Sequence, residues 1–466
     1  MHTSLANLED VGRFLIDLPQ HSSELLVPDK DIVVTRAPGR LDVMGGIADY
    51  CGSLVLEATL SEATIAAIQK RGDDKIVLRS VGVSSDGLAE RVNLPAPNIG
   101  SWTGYHAVRS GWELTPESSW AAYVAGCLAT LVLEGRLSRG SQGLSVCIVG
   151  EVPLGSGVSS SASLEVAVMC GLNTLYDLNL SPLTIARFSQ VTENHIVGAP
   201  CGIMDQITSA MGSSDSLLAL RCQPHTIEGF VELPSGIRVV GINSNVKHSV
   251  GGSLYTDTRV ACFMGHSIIV EHLRDLGQSE DPTSGYLCRL SPDDYLQLKH
   301  VLPTSMGGED FLQKYGGTVD RATRVAPETV YKIRHCTEHP IFQNDRVEKF
   351  RLLLEDDGNL DERMSSAGEL MYGSHWSYSE RAGLGAPETD RIVDLVRERG
   401  VECGLYGVKI TGGGSGGTVA VLCRTDTDEI IEEIAAKYQE SIGISPQVLT
   451  GSSPGACEAG HLVTRL

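Results

Sequence analysis

The stretch PLGSGVSSSAS, Pro153 to Ser163, decides the fold through what flanks it. Upstream, Leu144, Val146 and Ile148 alternate with other residues, the period of a strand. Downstream, Leu164, Ala167, Val168, Leu172 and Leu175 recur at helical spacing. The unit is therefore strand, glycine loop, helix. Glycines let a backbone approach an anion closely, and a helix start offers free amides and the positive end of a dipole. Ser159, Ser160 and Ser161 can cap that helix, donate, or ligate. The geometry suits a polyphosphate; it also suits an ordinary serine-rich capped turn. It is not a Walker loop, because the chain contains no Gly-Lys dipeptide.

Working outward, residues 31–36 (DIVVTR) predict a strand that ends in a turn at Pro38-Gly39. A second helix is expected over 182–196. Residues 276–330 are rich in turn formers and lack clean periodicity, which predicts an insertion or irregular surface segment. Gly407–Ile410 and Thr418–Leu422 read as strands around a glycine turn. The helix after them has Ile430, Ile431, Ile434, Ala435 and Tyr438 on one face and Thr427 as its N-cap. The breaks at Pro224 and Pro234 divide the chain into expected domains 1–225 and 226–466.

The 466 residues are enough for two domains, and 42% hydrophobic with 20% charged residues is ordinary for a globular chain. Lys plus Arg number 37 against 58 Asp plus Glu, a net charge of −21. That balance excludes nucleic acid and anionic membranes as main partners, while backbone amides can still hold a phosphate locally. Twelve cysteines without a Cys-x-x-Cys pair predict reduced thiols in a cytoplasmic protein. Met1 to Asp10 has no apolar core, so no secretory signal is expected there, and the apolar run Tyr123–Leu133 is too short to span a bilayer.

PLGSGVSSSASLEVA is similar to the second motif of the GHMP small-molecule kinases, above all their galactokinase-like branch. RAPGRLDVMGGIADYCGSLVL (Arg36–Leu56) resembles the first motif and GVKITGGGSGGTVAVL (Gly407–Leu422) the third. PCGIMDQ (Pro200–Gln206), the W-x-x-Y-V-x-G run Trp120–Gly126 and KHSVGGSLY (Lys247–Tyr255) look galactokinase-like too. The resemblance implies an α+β fold of two domains with the active site in the cleft between them, and ATP and Mg2+ as cofactors. It makes Asp205 the catalytic base beside the sugar's anomeric hydroxyl, with Arg40 favouring negative charge there. It makes Ser161 and Glu193 the magnesium ligands, hard oxygens that leave room for water. Gly155, Ser156, Gly157, Val158, Ser159, Ser160 and Ser161 would cradle the phosphates, and Asp49, Gly202 and Tyr255 would meet the sugar.

The glycines at 412–417 also fit G-x-G-x-x-G and G-x-S-x-G by letter, but both motifs should open a helix, and Thr418–Leu422 reads as a strand. HCTEH, His335 to His339, lacks the residues that would complete a zinc shell. The first motif departs from galactokinases at Gly46 and Ile47, where that branch has a Glu-His pair facing the sugar's C6 hydroxymethyl. Gly46 and Ile47 are therefore expected to form an apolar subsite, suited to L-arabinopyranose, which lacks C6. GRLDVMGGIADY and GSHWSYSERAGLG (Gly373–Gly385) resemble plant-type L-arabinokinases. Three expectations stand: an L-arabinose 1-kinase, a galactokinase or other sugar kinase with a remodelled C6 subsite, or a non-catalytic sugar- and ATP-binding regulator.

Overall fold

The computed structural model describes residues 5–96, 103–138, 143–246, 253–277, 281 and 283–466. The first sheet is built on two long strands, β1 (Ile32–Met44) and β2 (Leu54–Lys70). It also holds β3 (Lys75–Val81), β4 (Arg91–Pro95), β5 (Leu144–Gly150), β6 (Ser216–Arg221) and β7 (Thr226–Glu232). β2 pairs with β1 along most of its length. Its first residues, Leu54–Glu57, also pair with β6, and its last, Thr64–Lys70, with β5. One strand thus carries the sheet in two directions. β3 runs parallel to β5; the other pairings are antiparallel.

Helix α1 (Glu9–His21) covers one face with Val11, Phe14 and Leu18 against Ile32, Val34 and Ile65. The other face packs on α2 (Tyr105–Gly111), α3 (Ala121–Leu133), α4 (Ser160–Leu175), α5 (Pro182–Val191) and α6 (Met204–Met211). α3 holds the apolar run noted in the sequence; it is apolar all round because it is buried on nearly every side. Among the described residues no helix is long and apolar enough to cross a membrane.

The second sheet runs β11-β12-β8-β13, all antiparallel: β8 (Ile237–Asn243), β11 (Leu405–Ile410), β12 (Thr418–Arg424) and β13 (Gln447–Leu449). Between β8 and β11 lie α7 (Ser253–Asp275), α8 (Pro292–Leu298), α9 (Gly308–Tyr315), α10 (Ile333–Glu355), α11 (Leu360–Ser377) and α12 (Pro387–Arg399). The two-residue strands β9 (Met306–Gly307) and β10 (Val330–Tyr331) pair as a ribbon. α13 (Asp428–Ile442) follows β12, and β14 (His461–Thr464) returns to pair with β1. The first sheet thus gathers β7 and β14 from beyond residue 225. A shared core joins the sheets: Leu41, Val43, Leu54 and Leu56 pack with Phe350, Met364, Met371 and Leu422.

Three local expectations are corrected. No turn forms at Pro38-Gly39: β1 runs through with a register shift between Pro38 and Arg40. A bulge tolerates a proline that cannot donate, and it frees the Arg40 amide to bond Val158 O at 3.1 Å. The 276–330 segment is not a surface insertion. Leu290, Tyr295, Leu302 and Phe311 are buried in one core with Val260 and Phe263 of α7. Its elements are too short to show periodicity. Thr427 stands at the N-cap of α13, but its hydroxyl bonds Arg424 O instead of capping.

Candidate active site

β1 delivers Arg40 and the N-terminus of α6 delivers Asp205. The guanidinium meets Asp205 Oδ1 through Nε at 2.9 Å and through Nη2 at 2.8 Å. Nη1 donates to Gly157 O at 2.6 Å, which fixes the glycine loop to the same cation. Ser159 Oγ donates to Asp205 Oδ2 at 2.5 Å. Arg40 is 2% exposed. Burial opposes its charge, but Asp205, Glu57 and Asp42 outweigh burial and raise its pKa. Glu57 lies 3.5 Å behind Arg40, fully buried, with no hydrogen bond to either carboxylate oxygen among the described residues. Burial, then the Asp42 charge, push its pKa well up.

The glycine loop leads into α4, with Ser159 at the N-cap in left-handed conformation. Sequence suggested that the serines cap the helix. Ser159 instead spends its hydroxyl on Asp205 and makes no cap bond, and the first turn of α4 carries no acidic residue. First-turn helix amides have no intrahelical partner, which suits an anion. Ser156 and Val158 do not offer side chains to a ligand. The Ser156 hydroxyl accepts from Asn243 Nδ2, and Val158 is buried in the core between the sheets. Their backbone is what lines the loop. Gly155 is exposed, and Gly157, Ser160 and Ser161 are partly so.

Glu193 sits where α5 widens into a π-helical turn, Thr192–Val197. Its carboxylate is buried, receives Gln206 Nε2 at 2.6 Å and Cys201 Sγ at 3.3 Å, and hydrogen-bonds Ser161. Burial and then the Asp205 charge lift its pKa to about 7. Glu165, one turn beyond Ser161, is also buried, and its Oε1 lacks a partner among the described residues. Two buried acids and a hydroxyl are hard oxygen donors, the set that suits Mg2+ when phosphate and water complete the shell. Among the described residues no three His, Cys, Asp or Glu side chains form a metal cluster, and His339 of HCTEH bonds Ser377.

A cleft of about 620 Å³ opens beside Asp205, bounded by Arg40, Ile47, Asp49, Tyr255 and the backbone of Gly412–Gly414. Asp49 is buried and accepts from the amides of Tyr50 and Met204. Burial, then the Asp205 charge, raise its pKa to about 7, with Arg259 pulling the other way. Gly202 touches it so closely that a Cβ there would lie 1.5 Å from Asp49 Oδ2. Tyr255, half-buried at the start of α7, meets the Tyr50 ring edge-on at 6.0 Å. Of KHSVGGSLY, residues 247–252 lie outside the described residues.

Gly46 requires a correction: it does not line the cleft. Its φ is +57°, and it packs against the Tyr378 hydroxyl, whereas Ile47 does face the cavity. Sequence reasoning also missed Arg259. One turn after Tyr255 on α7, it pairs with both oxygens of Asp320, donates to Cys201 O and lies 5.0 Å over the Tyr50 ring. The i, i+4 spacing on α7 was the available signal; Asp320, in the segment expected to be an insertion, gave none. Asp42 and Lys409 form a fully buried ion pair that ties β1 to β11.

Residues 122–213 match the GHMP kinases N-terminal domain, residues 353–440 the GHMP kinases C-terminal domain, and residues 24–70 the galactokinase galactose-binding signature. The chain thus carries matches to both GHMP kinase domains together with the galactose-binding signature. It is 37% identical to the L-arabinokinase of Arabidopsis thaliana over 94% of its own length and 47% of that protein's. It therefore spans about half of that relative. It is 28% identical to a Clostridium acetobutylicum galactokinase over 88% of this chain and 90% of the relative. In structure it resembles Lactococcus lactis galactokinase complexed with galactose, with a TM-score of 0.73, 22% identity, and 97% and 100% of the two chains covered. The Methanococcus jannaschii mevalonate kinase is a more distant likeness of fold, with a TM-score of 0.51, 14% identity, and 89% and 96% covered.

Proposed function

We propose that this chain is an ATP-dependent sugar 1-kinase whose acceptor is L-arabinose, giving L-arabinose 1-phosphate. The observation that carries the reading is the Arg40–Asp205 pair, which one guanidinium bonds to the glycine loop and which the cleft brings beside Asp49. Asp205 is suited to take up the anomeric hydroxyl proton, with Arg40 at one carboxylate oxygen and Ser159 at the other fixing its orientation. Asp49 would accept hydrogen bonds from ring hydroxyls, and Tyr255 would bound the sugar. Gly155–Ser161 would hold the phosphates on backbone amides. Ser161 and Glu193 would hold Mg2+, which neutralises charge on the transferring phosphoryl group when bound.

For the acceptor, Ile47 faces the cleft without a polar group, and the neighbouring glycines add no side chain. A hydroxymethyl group against Ile47 would meet an apolar side chain, which favours a sugar lacking one. The similarity to a plant L-arabinokinase points the same way. The galactose-binding signature and the full-length likeness to a galactokinase favour a second reading, D-galactose as acceptor. ADP release by the purified protein with magnesium and ATP decides between them. The expected result is strong stimulation by L-arabinose and weak stimulation by D-galactose. A preference for galactose would overturn the acceptor. Stimulation by neither sugar, nor by a wider panel, would overturn the kinase reading in favour of a binding role.

A further inference from the structure

Position 46 and Tyr378 compete for one volume. A Cβ built on Gly46 would lie 1.6 Å from Tyr378 Oη and 3.1 Å from Asp42 Oδ2. Tyr378 begins the π-helical turn that ends α11, and its side chain is fully buried. Its hydroxyl accepts from the Ile47 amide at 2.8 Å and donates to Gly412 O at 2.9 Å. Both of those residues line the cleft. The Asp42–Lys409 pair backs the same spot: Asp42 Oδ1 accepts from the Gly46 amide at 2.9 Å, and Lys409 Nζ lies 5.7 Å from the Tyr378 ring centroid. The tyrosine is thus a buried strut whose hydroxyl, among the described residues, hydrogen-bonds backbone groups of two cleft walls.

We propose that Tyr378 is a specificity-determining positioning residue for the sugar. It takes the space a side chain at position 46 would need, and it holds Ile47 by the amide so that the wall there is filled and apolar. The wall discriminates against a hexopyranose carrying a hydroxymethyl group and accepts a pentopyranose that ends at the ring. The inference rests on the sugar-kinase reading above and names the residue that sets its acceptor. Selectivity then depends on Tyr378 and position 46 as well as on the Ile47 wall they hold in place. A polar side chain cannot be introduced at position 46 while Tyr378 stays.

Tyr378→Phe keeps the ring and removes both backbone bonds. The measurement is kcat/KM for L-arabinose and for D-galactose, with KM for ATP alongside. The expected result is a fall of about tenfold or more in the arabinose-to-galactose ratio with little change for ATP. The exchange Gly46→Glu with Tyr378→Leu should lower the ratio further, while Gly46→Glu alone should give less folded protein than the double variant. A Tyr378→Phe enzyme with an unchanged ratio overturns the role of Tyr378 and leaves the acceptor assignment intact. A wild-type enzyme that prefers galactose, or uses neither sugar, overturns the acceptor assignment and the inference with it.

Discussion

On the glycine-loop side, continuous residues 155–161 offer mostly backbone: Val158 faces the core, and Ser156 is tied to Asn243. On the Asp49 side, Ile47, Asp49 and Tyr255 line the cavity, and side chains from distant parts of the chain stand behind them. Asp49 follows β1, Tyr255 and Arg259 come from α7, Asp320 from the segment between α9 and α10, and Tyr378 from the end of α11. A site made of backbone amides can accept any polyphosphate in the right place. A site made of side chains from separate segments can be changed one partner at a time. The first half suits the chemistry common to a family, and the second suits the choice of acceptor. Asp205 stands between them, bonded through Arg40 and Ser159 to the loop and lining the sugar cavity.

The largest effect is expected at that junction. Asp205→Asn keeps the size and both neighbours but removes the proton acceptor, so kcat should fall by about 10²–10⁴. Sugar binding, followed by calorimetry, should persist. Normal turnover in the Asp205→Asn variant would leave the two halves without the chemical link assigned here. The next effect separates the halves. A Cβ at residue 202 would collide with the Asp49 carboxylate, and one at residue 417, where φ is +82°, would lie 2.5 Å from Ser156 O. Gly202→Ala should raise KM for sugar by about tenfold or more and spare KM for ATP, whereas Gly417→Ala should do the reverse. If both variants lost both substrates equally, the cleft would behave as one unit and the comparison would fail.

The same contrast explains what sequence could disclose. The strand, loop and helix around Pro153–Ser163 are local, so spacing and glycine content reveal them, and β5 and α4 form where periodicity puts them. Gly46 is misread from sequence because its neighbour in space, Tyr378, is not near it in the chain: the bond from Ile47 to Tyr378 spans 331 residues. Asp320 is invisible for a similar reason, since its segment buries single aromatic residues from short elements instead of a repeating face. The Pro38-Gly39 pair has the composition of a turn, and nothing local distinguishes that from a bulge inside a long strand. Side-chain partnerships across the two domains therefore carry the part of the site that one segment cannot show.

The smallest predicted effect tests the Asp49 side by pH. Asp49 has a pKa raised to about 7, first by burial and then by Asp205, with Arg259 opposing. In the folded protein it therefore holds a proton below that pH that an unfolded chain would have released. Its contribution to stability accordingly falls as pH rises from about 4 to about 7 and is constant above. Sugar hydroxyls bond the ionised acceptor more strongly, so binding runs the opposite way: affinity should weaken below about pH 7, by at most tenfold per pH unit. Glu193 also has a pKa of about 7 but belongs to the glycine-loop side, so sugar binding measured without nucleotide or metal isolates Asp49. Asp49→Asn should bind sugar more weakly at neutral pH and lose the pH dependence. An affinity that stays flat down to about pH 6 would mean that the carboxylate does not receive the sugar, and the side-chain half of the cleft would then be Ile47, Tyr255 and the wall that Tyr378 holds.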